Sequence, residues 1–123
     1  MHAYQETLRR LAIPDTAFID GLLRDRRENA ARSRIDGRAF ALVRIAALVA
    51  ADATTASFAA ACEEALQAEV TPEEIVGTLI AVLPLIGVAR VVAAAPSLGL
   101  ALGYDVGTAL EEHDVCASPT DAA

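Results

Sequence analysis

The chain has 123 residues and a net charge of −7, and 54% of it is hydrophobic, with 28 Ala against three Phe, two Tyr and no Trp. That length bounds it to one domain, burying ~65% of the surface its extended chain would expose. The acidic balance argues against a nucleic-acid-binding surface, and no stretch alternates apolar and polar residues as a half-buried strand would. Alanine favours helix and lets helices approach closely, so an all-α protein of about five to six helices is predicted.

In chain order, Tyr4 to Ile13 reads as a short helix with Leu8 and Leu11 on one side, ending before Pro14. Asp15 or Thr16 caps a second helix, with Phe18, Ile19, Leu22 and Leu23 predicted to face inward. The stretch from Asp25 to Arg34 is polar and reads as frayed helix or loop. Its arginines alternate with Asp25, Glu28 and Asp36, the pattern of a solvated face. Asp36 caps a third helix running to about Ala51. There Phe40, Val43, Ala47 and Ala51 share one face, and Leu42, Ile45, Leu48 and Val49 cover most of the rest. Asp52-Ala53 marks a tight connection. Thr54 or Thr55 then caps a helix to about Ala68, with Phe58, Cys62, Ala65 and Leu66 as its apolar stripe.

Thr71-Pro72-Glu73-Glu74 is the sharpest local signal. It places a capping hydroxyl, a proline at the first helical position and a capping-box acid at their proper offsets. Ile75 to Gly103 follows with Arg90 as its only charge. A helix apolar all round must be buried on most of its circumference. A break near Pro84 and a bend near Pro96 are expected, with Gly103 ending the last helix. Gly99-x-x-x-Gly103 has the spacing of a close helix contact. The segment is long enough to span a membrane, but Arg90, both prolines and the lack of a following Arg argue against that. A small domain with this much apolar helix is instead expected to associate with copies of itself.

From Tyr104 onward the chain turns polar and acidic, and the tail over 106–123 is expected to be disordered; the division into a helical extension over 1–35 and a helical domain over 36–105 is what the family resemblance described below implies. Cys62 and Cys116 lie far apart, and residues 1–14 lack the apolar core of a secretory leader. Free thiols in a cytoplasmic protein are therefore expected. His2 and His113 have no ligand spacing with each other or with a cysteine, so neither a metal nor another cofactor is expected.

Ala41-Leu42-Val43-Arg44-Ile45-Ala46-Ala47-Leu48-Val49-Ala50, Ala65-Leu66-Gln67-Ala68, Thr71 to Val76 and Pro84 to Arg90 together resemble the carboxymuconolactone decarboxylase family, which includes the alkylhydroperoxidase D branch. The resemblance covers roughly residues 36–105. It implies an alkylhydroperoxidase D-like all-α bundle, assembled as a trimer or hexamer, with a pocket between helices. The functional positions of the peroxidase branch are occupied differently here. Thr54 and Ser57 stand where that branch has a C-x-x-C, and Ala61 stands at its histidine. No acid lies between Asp36 and Asp52, where its relay glutamate belongs. Hydroxyls cannot form a disulfide or a peroxidatic thiolate, and no usual general base is left.

Two arginines stand out, because each sits in an apolar helix without an acid at i±3 or i±4. A guanidinium there must snorkel, find a partner from another element, or anchor an anion. Arg44 and Arg90, facing one cavity, could hold a carboxylate in a bidentate grip. Candidate binding residues are therefore Arg44, Arg90, Thr54, Ser57 and Cys62, with Cys62 also readable as an inert buried thiol. The expected function is binding of a small, carboxylate-bearing organic molecule in an inter-helix pocket. Two alternatives stand beside it: an active decarboxylase or peroxidase-like enzyme using other residues, and a partner-binding oligomer that keeps only the scaffold.

Overall fold

Backbone caps set the element boundaries. The computed structural model describes residues 2–112, and among them all regular structure is helical. The helices are α1 (Ala3–Ala12), α2 (Thr16–Arg24), α3 (Arg26–Ser33), α4 (Gly37–Ala50), α5 (Thr55–Gln67), α6 (Pro72–Ile86) and α7 (Val88–Ala101), followed by α8 (Val106–Glu112). That exceeds the five or six expected, for two reasons. The polar stretch after Asp25 is helical, and so is the described part of the acidic tail. Ser118 to Ala123, read as disordered, lie outside the described residues, as do His113 and Cys116.

The chain divides into two units between Asp36 and Gly37. In the first, Asp15 caps α2 by accepting from the Phe18 N–H at 3.2 Å. Asp25 caps α3 by accepting from Arg27 and Glu28 N–H at 2.9 and 3.2 Å. The Asn29 side chain donates to the Leu22 carbonyl at 3.1 Å, tying α3 to α2. The guanidinium carbons of Arg10 and Arg32 lie 5.4 and 5.5 Å from the Phe18 ring centroid. Phe18, Ile19 and Leu22 are half-buried, whereas Leu23, expected to face inward, is 78% exposed.

The second unit is a four-helix arrangement. α4 packs on α5 and α6, and α7 packs on the same two, so the helices go round in the order α4, α5, α7, α6. The core is Ala41, Ile45 and Val49 of α4, Phe58, Ala61, Cys62 and Ala65 of α5, Val70, Ile75 and Leu79, and Ala94 and Leu98 of α7. Small residues make up a large part of this core, which is what lets four helices meet closely. The inward face of α4 is the 41/45/49 row, and of the residues that share a face by spacing, Val43, Ala47 and Ala51 are exposed. α4 is apolar on nearly every side, so its periodicity could not select one face.

α6 starts as predicted. Thr71 Oγ1 accepts from the Glu74 N–H at 3.1 Å, and the Glu74 carboxylate accepts from the Thr71 N–H at 3.0 Å. The break falls at Gly87 and not at Pro84, which sits inside α6. Pro84 removes only the bond to the Ile80 carbonyl, and both residues lie on the exposed side of α6, where water can replace the lost donor. Gly87 ends the helix because its backbone sits at φ 89°, ψ 166°, a region essentially closed to residues with a Cβ. α7 likewise continues through Pro96.

α4, α5 and α7 end in one shared pattern. After α4 the Ala53 N–H reaches the Leu48 carbonyl at 3.1 Å, after α5 Val70 reaches Ala65 at 3.0 Å, and after α7 Tyr104 reaches Gly99 at 2.8 Å. Each is a six-to-one Schellman closure around a left-handed residue: Asp52, Glu69 and Gly103 respectively. Among the described residues no single helix is long and apolar enough to cross a membrane, and α7 with α8 meets that test only as a pair bent by 98°.

Candidate functional site

The residues singled out from the sequence do not gather at one place. Thr54 is the N-cap of α5, and its Oγ1 accepts from the Ser57 N–H at 3.2 Å. The two hydroxyls are neighbours, 3.1 Å apart, and both are engaged at the helix start. Next to them Thr55 Oγ1 lies 3.1 Å from Ser97 Oγ, joining α5 to α7. Arg44 is exposed, with its guanidinium carbon 5.4 Å from the Phe40 ring centroid. This is a cation–π contact on its own helix. Arg90 is also exposed.

Cys62 is fully buried in the core, and burial pushes its thiol above the ordinary range. A raised thiol pKa is the opposite of what a nucleophile needs. The sign for stability follows. The folded chain holds the thiol neutral, so stability is retained below the pKa of an unfolded cysteine. It falls as pH rises beyond that, because only the unfolded state ionises freely. In a Cys116→Ser background, the native protein should therefore resist a thiol reagent at neutral pH and react fully once unfolded in urea. Stoichiometric labelling of the folded protein would show the thiol to be accessible.

Among the described residues, one concave feature of this unit lies between α4 and α6. It is an open groove of about 420 Å³, walled by Leu42, Val43 and Ala46 on α4 and by Glu74, Gly77, Thr78, Ala81 and Val82 on α6. It runs on, through the shared Gly77, into a depression lined by Pro72, Glu73, Val76 and Ile80. Its volume is within the ~300–1,000 Å³ typical of small-molecule sites. Small residues create it. Gly77 has no heavy atom within 4 Å of where a Cβ would sit, so no packing demand explains a glycine at a mid-helix position that alanine would stabilise by ~1 kcal/mol. Ala46 and Ala81 leave the same space open from both sides.

The polar groups of the groove are already committed. Thr78 Oγ1 donates to the Glu74 carbonyl at 3.2 Å. The Glu74 carboxylate accepts from the Arg38 guanidinium, whose other arm donates to the Glu69 carbonyl. The hydrogen bond from Arg38, followed by that from the Thr71 backbone, holds the Glu74 carboxyl below the usual carboxylate range. An acid held ionised in this way is a weak base, far from the poise that proton transfer near neutral pH requires. The groove can bind an apolar molecule, but it offers no thiolate, imidazole or tuned carboxyl to transform one.

Neither Arg44 nor Arg90 lines the groove. Its lining residues were legible only as a register of small side chains, Gly77 and Ala81 one turn apart on α6 facing Ala46 on α4. That pairing of helices is not visible in sequence. No family model, curated protein or solved structure matches this chain.

Proposed function

We propose that this chain is a divergent carboxymuconolactone decarboxylase-like protein that binds a small apolar organic molecule in the α4/α6 groove and performs no redox or proton-transfer chemistry on it. The family part of this reading is supported by the Thr71–Glu74 cap and the apolar runs that flank it, together with the all-helical architecture. The binding part is carried by one observation. Gly77, Ala46 and Ala81 hold open an apolar groove in which Glu74 is engaged by Arg38, the other carboxylate, Glu73, lying in the adjoining depression. That composition favours an uncharged ligand over the carboxylate expected from the two arginines.

Gly77→Phe tests it. The position is open and helical, so phenylalanine fills the groove without disturbing the core. N-phenyl-1-naphthylamine, a neutral fluorescent probe, should bind the wild-type chain, and the variant should bind it at least about tenfold more weakly at unchanged helicity. Equal affinity in the two proteins would remove the groove as the site. Hydroperoxide consumption that disappears in Cys62→Ala would instead establish thiol chemistry and overturn the non-redox reading.

A further inference from the structure

The groove between α4 and α6 has two unlike ends. Arg38 at the start of α4 holds the Glu74 carboxylate at the start of α6, so both helices begin at the same end of the groove. That end carries carboxylates, Glu74 in the groove and Glu73 in the depression that joins it at Gly77. The other end carries none. From Ile75 to Ile86 α6 has no charged residue. Helical spacing puts Leu85 on the groove row, one turn beyond Ala81 and two beyond Thr78. Leu85 is 84% exposed, so the row continues past Val82 as bare apolar surface. From Glu73 to Leu85 the path along α6 is about 18 Å.

The two carboxylates are not equivalent. Glu74 accepts from Arg38 and from the Thr71 N–H, and the guanidinium offsets its charge. Glu73 is exposed and takes no hydrogen bond or ion pair among the described residues. Its place in the first turn suits the helix dipole, a use that leaves both carboxylate oxygens open to a partner. Arg38 is committed to Glu74 and to the Glu69 carbonyl, and no arginine lines the groove or the depression. The walls therefore suit an uncharged body, while the acidic end beside them suits a positive group. We infer that the ligand is a long-tailed amphiphile with a cationic head, an alkylammonium in its simplest form. Its tail lies along Gly77 and Ala81 towards Leu85, and its ammonium sits against the Glu73 carboxylate. The inference rests on the reading of the groove as a binding site. The protein's net charge of −7 adds a general attraction for such a molecule and a repulsion for a fatty-acid carboxylate, but only a local carboxylate fixes the head at one end.

Decylamine, 1-decanol and decanoate share one tail and differ in the head. Each, kept below the concentration at which it aggregates, competes with N-phenyl-1-naphthylamine for the full chain. Decylamine should displace the probe at a roughly threefold lower concentration than 1-decanol, the increment of an exposed ion pair. Decanoate should need roughly tenfold more than decylamine, since repulsion replaces attraction. The amine's advantage should shrink as ionic strength rises from about 0.01 M to about 1 M and the screening length falls from ~30 to ~3 Å. Glu73→Gln should abolish that advantage and leave 1-decanol unchanged. Glu63→Gln removes the same charge from an exposed position on α5 that does not line the groove, and it should keep the advantage. Equal displacement by amine and alcohol overturns the cationic head and leaves the groove reading standing. So does an advantage that survives Glu73→Gln or disappears in Glu63→Gln. If Gly77→Phe excludes the probe but none of the three displaces it from the wild type, the amphiphile is overturned. Wild-type probe affinity in Gly77→Phe removes the groove itself, and this inference with it.

Discussion

Ile75→Ala is expected to lower the unfolding free energy of the second unit by roughly 3–4 kcal/mol. Ile75 is fully buried at the first turn of α6, where the capped helix start meets the core. Its removal costs the transfer free energy of three carbon atoms. It also leaves a cavity that the α4 and α5 backbones, already close through their alanines, cannot collapse to fill. Ile75→Val removes one methylene and should cost about 1 kcal/mol. Urea titrations of the two variants should show falling midpoints with an unchanged slope, since the surface exposed on unfolding hardly changes. A loss below about 1 kcal/mol for Ile75→Ala would mean that α6 does not pack by its 75/78/79/82 face. Against a typical total stability of 5–15 kcal/mol, the expected loss is large enough to lower the melting temperature by more than about 10 °C.

The cap that positions Ile75 was legible in sequence because every part of it is local. Thr71, Pro72 and Glu74 act on backbone groups within one turn of themselves, and the structure shows both bonds of the box. Asp15, Thr54 and Gly103 were legible for the same reason. α3 is only half legible, as frayed helix or loop, although its signal is of the same kind. Asp25 caps it, and Glu28 meets Arg32 at 3.2 Å one turn on, but a polar segment has no apolar stripe to decide between the two. The break between α6 and α7 was misplaced because proline was given more weight than glycine. Proline costs one hydrogen bond where the helix faces water, whereas Gly87 adopts a backbone angle that no helix can carry.

Facing and pairing were harder to read than boundaries. When nearly every residue of α4 is apolar, the inward row depends on which neighbour arrives, and that information is not in α4. Val43 shows it: placed on the shared face by spacing, it is 53% exposed and forms one wall of the groove. The same gap explains Arg44 and Arg90. Their lack of nearby acids along the helix was legible, but whether they converge depended on how two helices rotate. The structure points both heads to solvent, and Arg44 settles on Phe40. The groove is a property of α4 against α6 and has no signature in either helix alone beyond an unexplained glycine.

Gly99→Ala gives a case in which local and tertiary reasoning predict opposite signs. Inside a helix, alanine is favoured over glycine by ~1 kcal/mol, so propensity alone makes the variant more stable. The structure makes it less stable. A Cβ at position 99 would sit 2.8 Å from the Tyr104 carbonyl oxygen and 2.9 Å from a methyl of Val106. The Val106 methyl can rotate away, but the carbonyl cannot, because the chain there is pinned on both sides. The Tyr104 N–H bonds the Gly99 carbonyl at 2.8 Å, and the Gly103 N–H bonds that of Leu100 at 3.1 Å. Gly103 itself holds the left-handed turn at φ 86°. Making room therefore means opening the closure at the end of α7 and lifting α8 from its place. Overpacking against backbone costs ~1–3 kcal/mol in most cores, and losing these two bonds adds to it, so a net destabilisation of about 2 kcal/mol is expected after the propensity gain. Urea denaturation decides the sign. Stabilisation by alanine would mean that the chain does not fold back over Gly99, and the Gly99–Gly103 spacing would then return to its first reading as a surface for another helix.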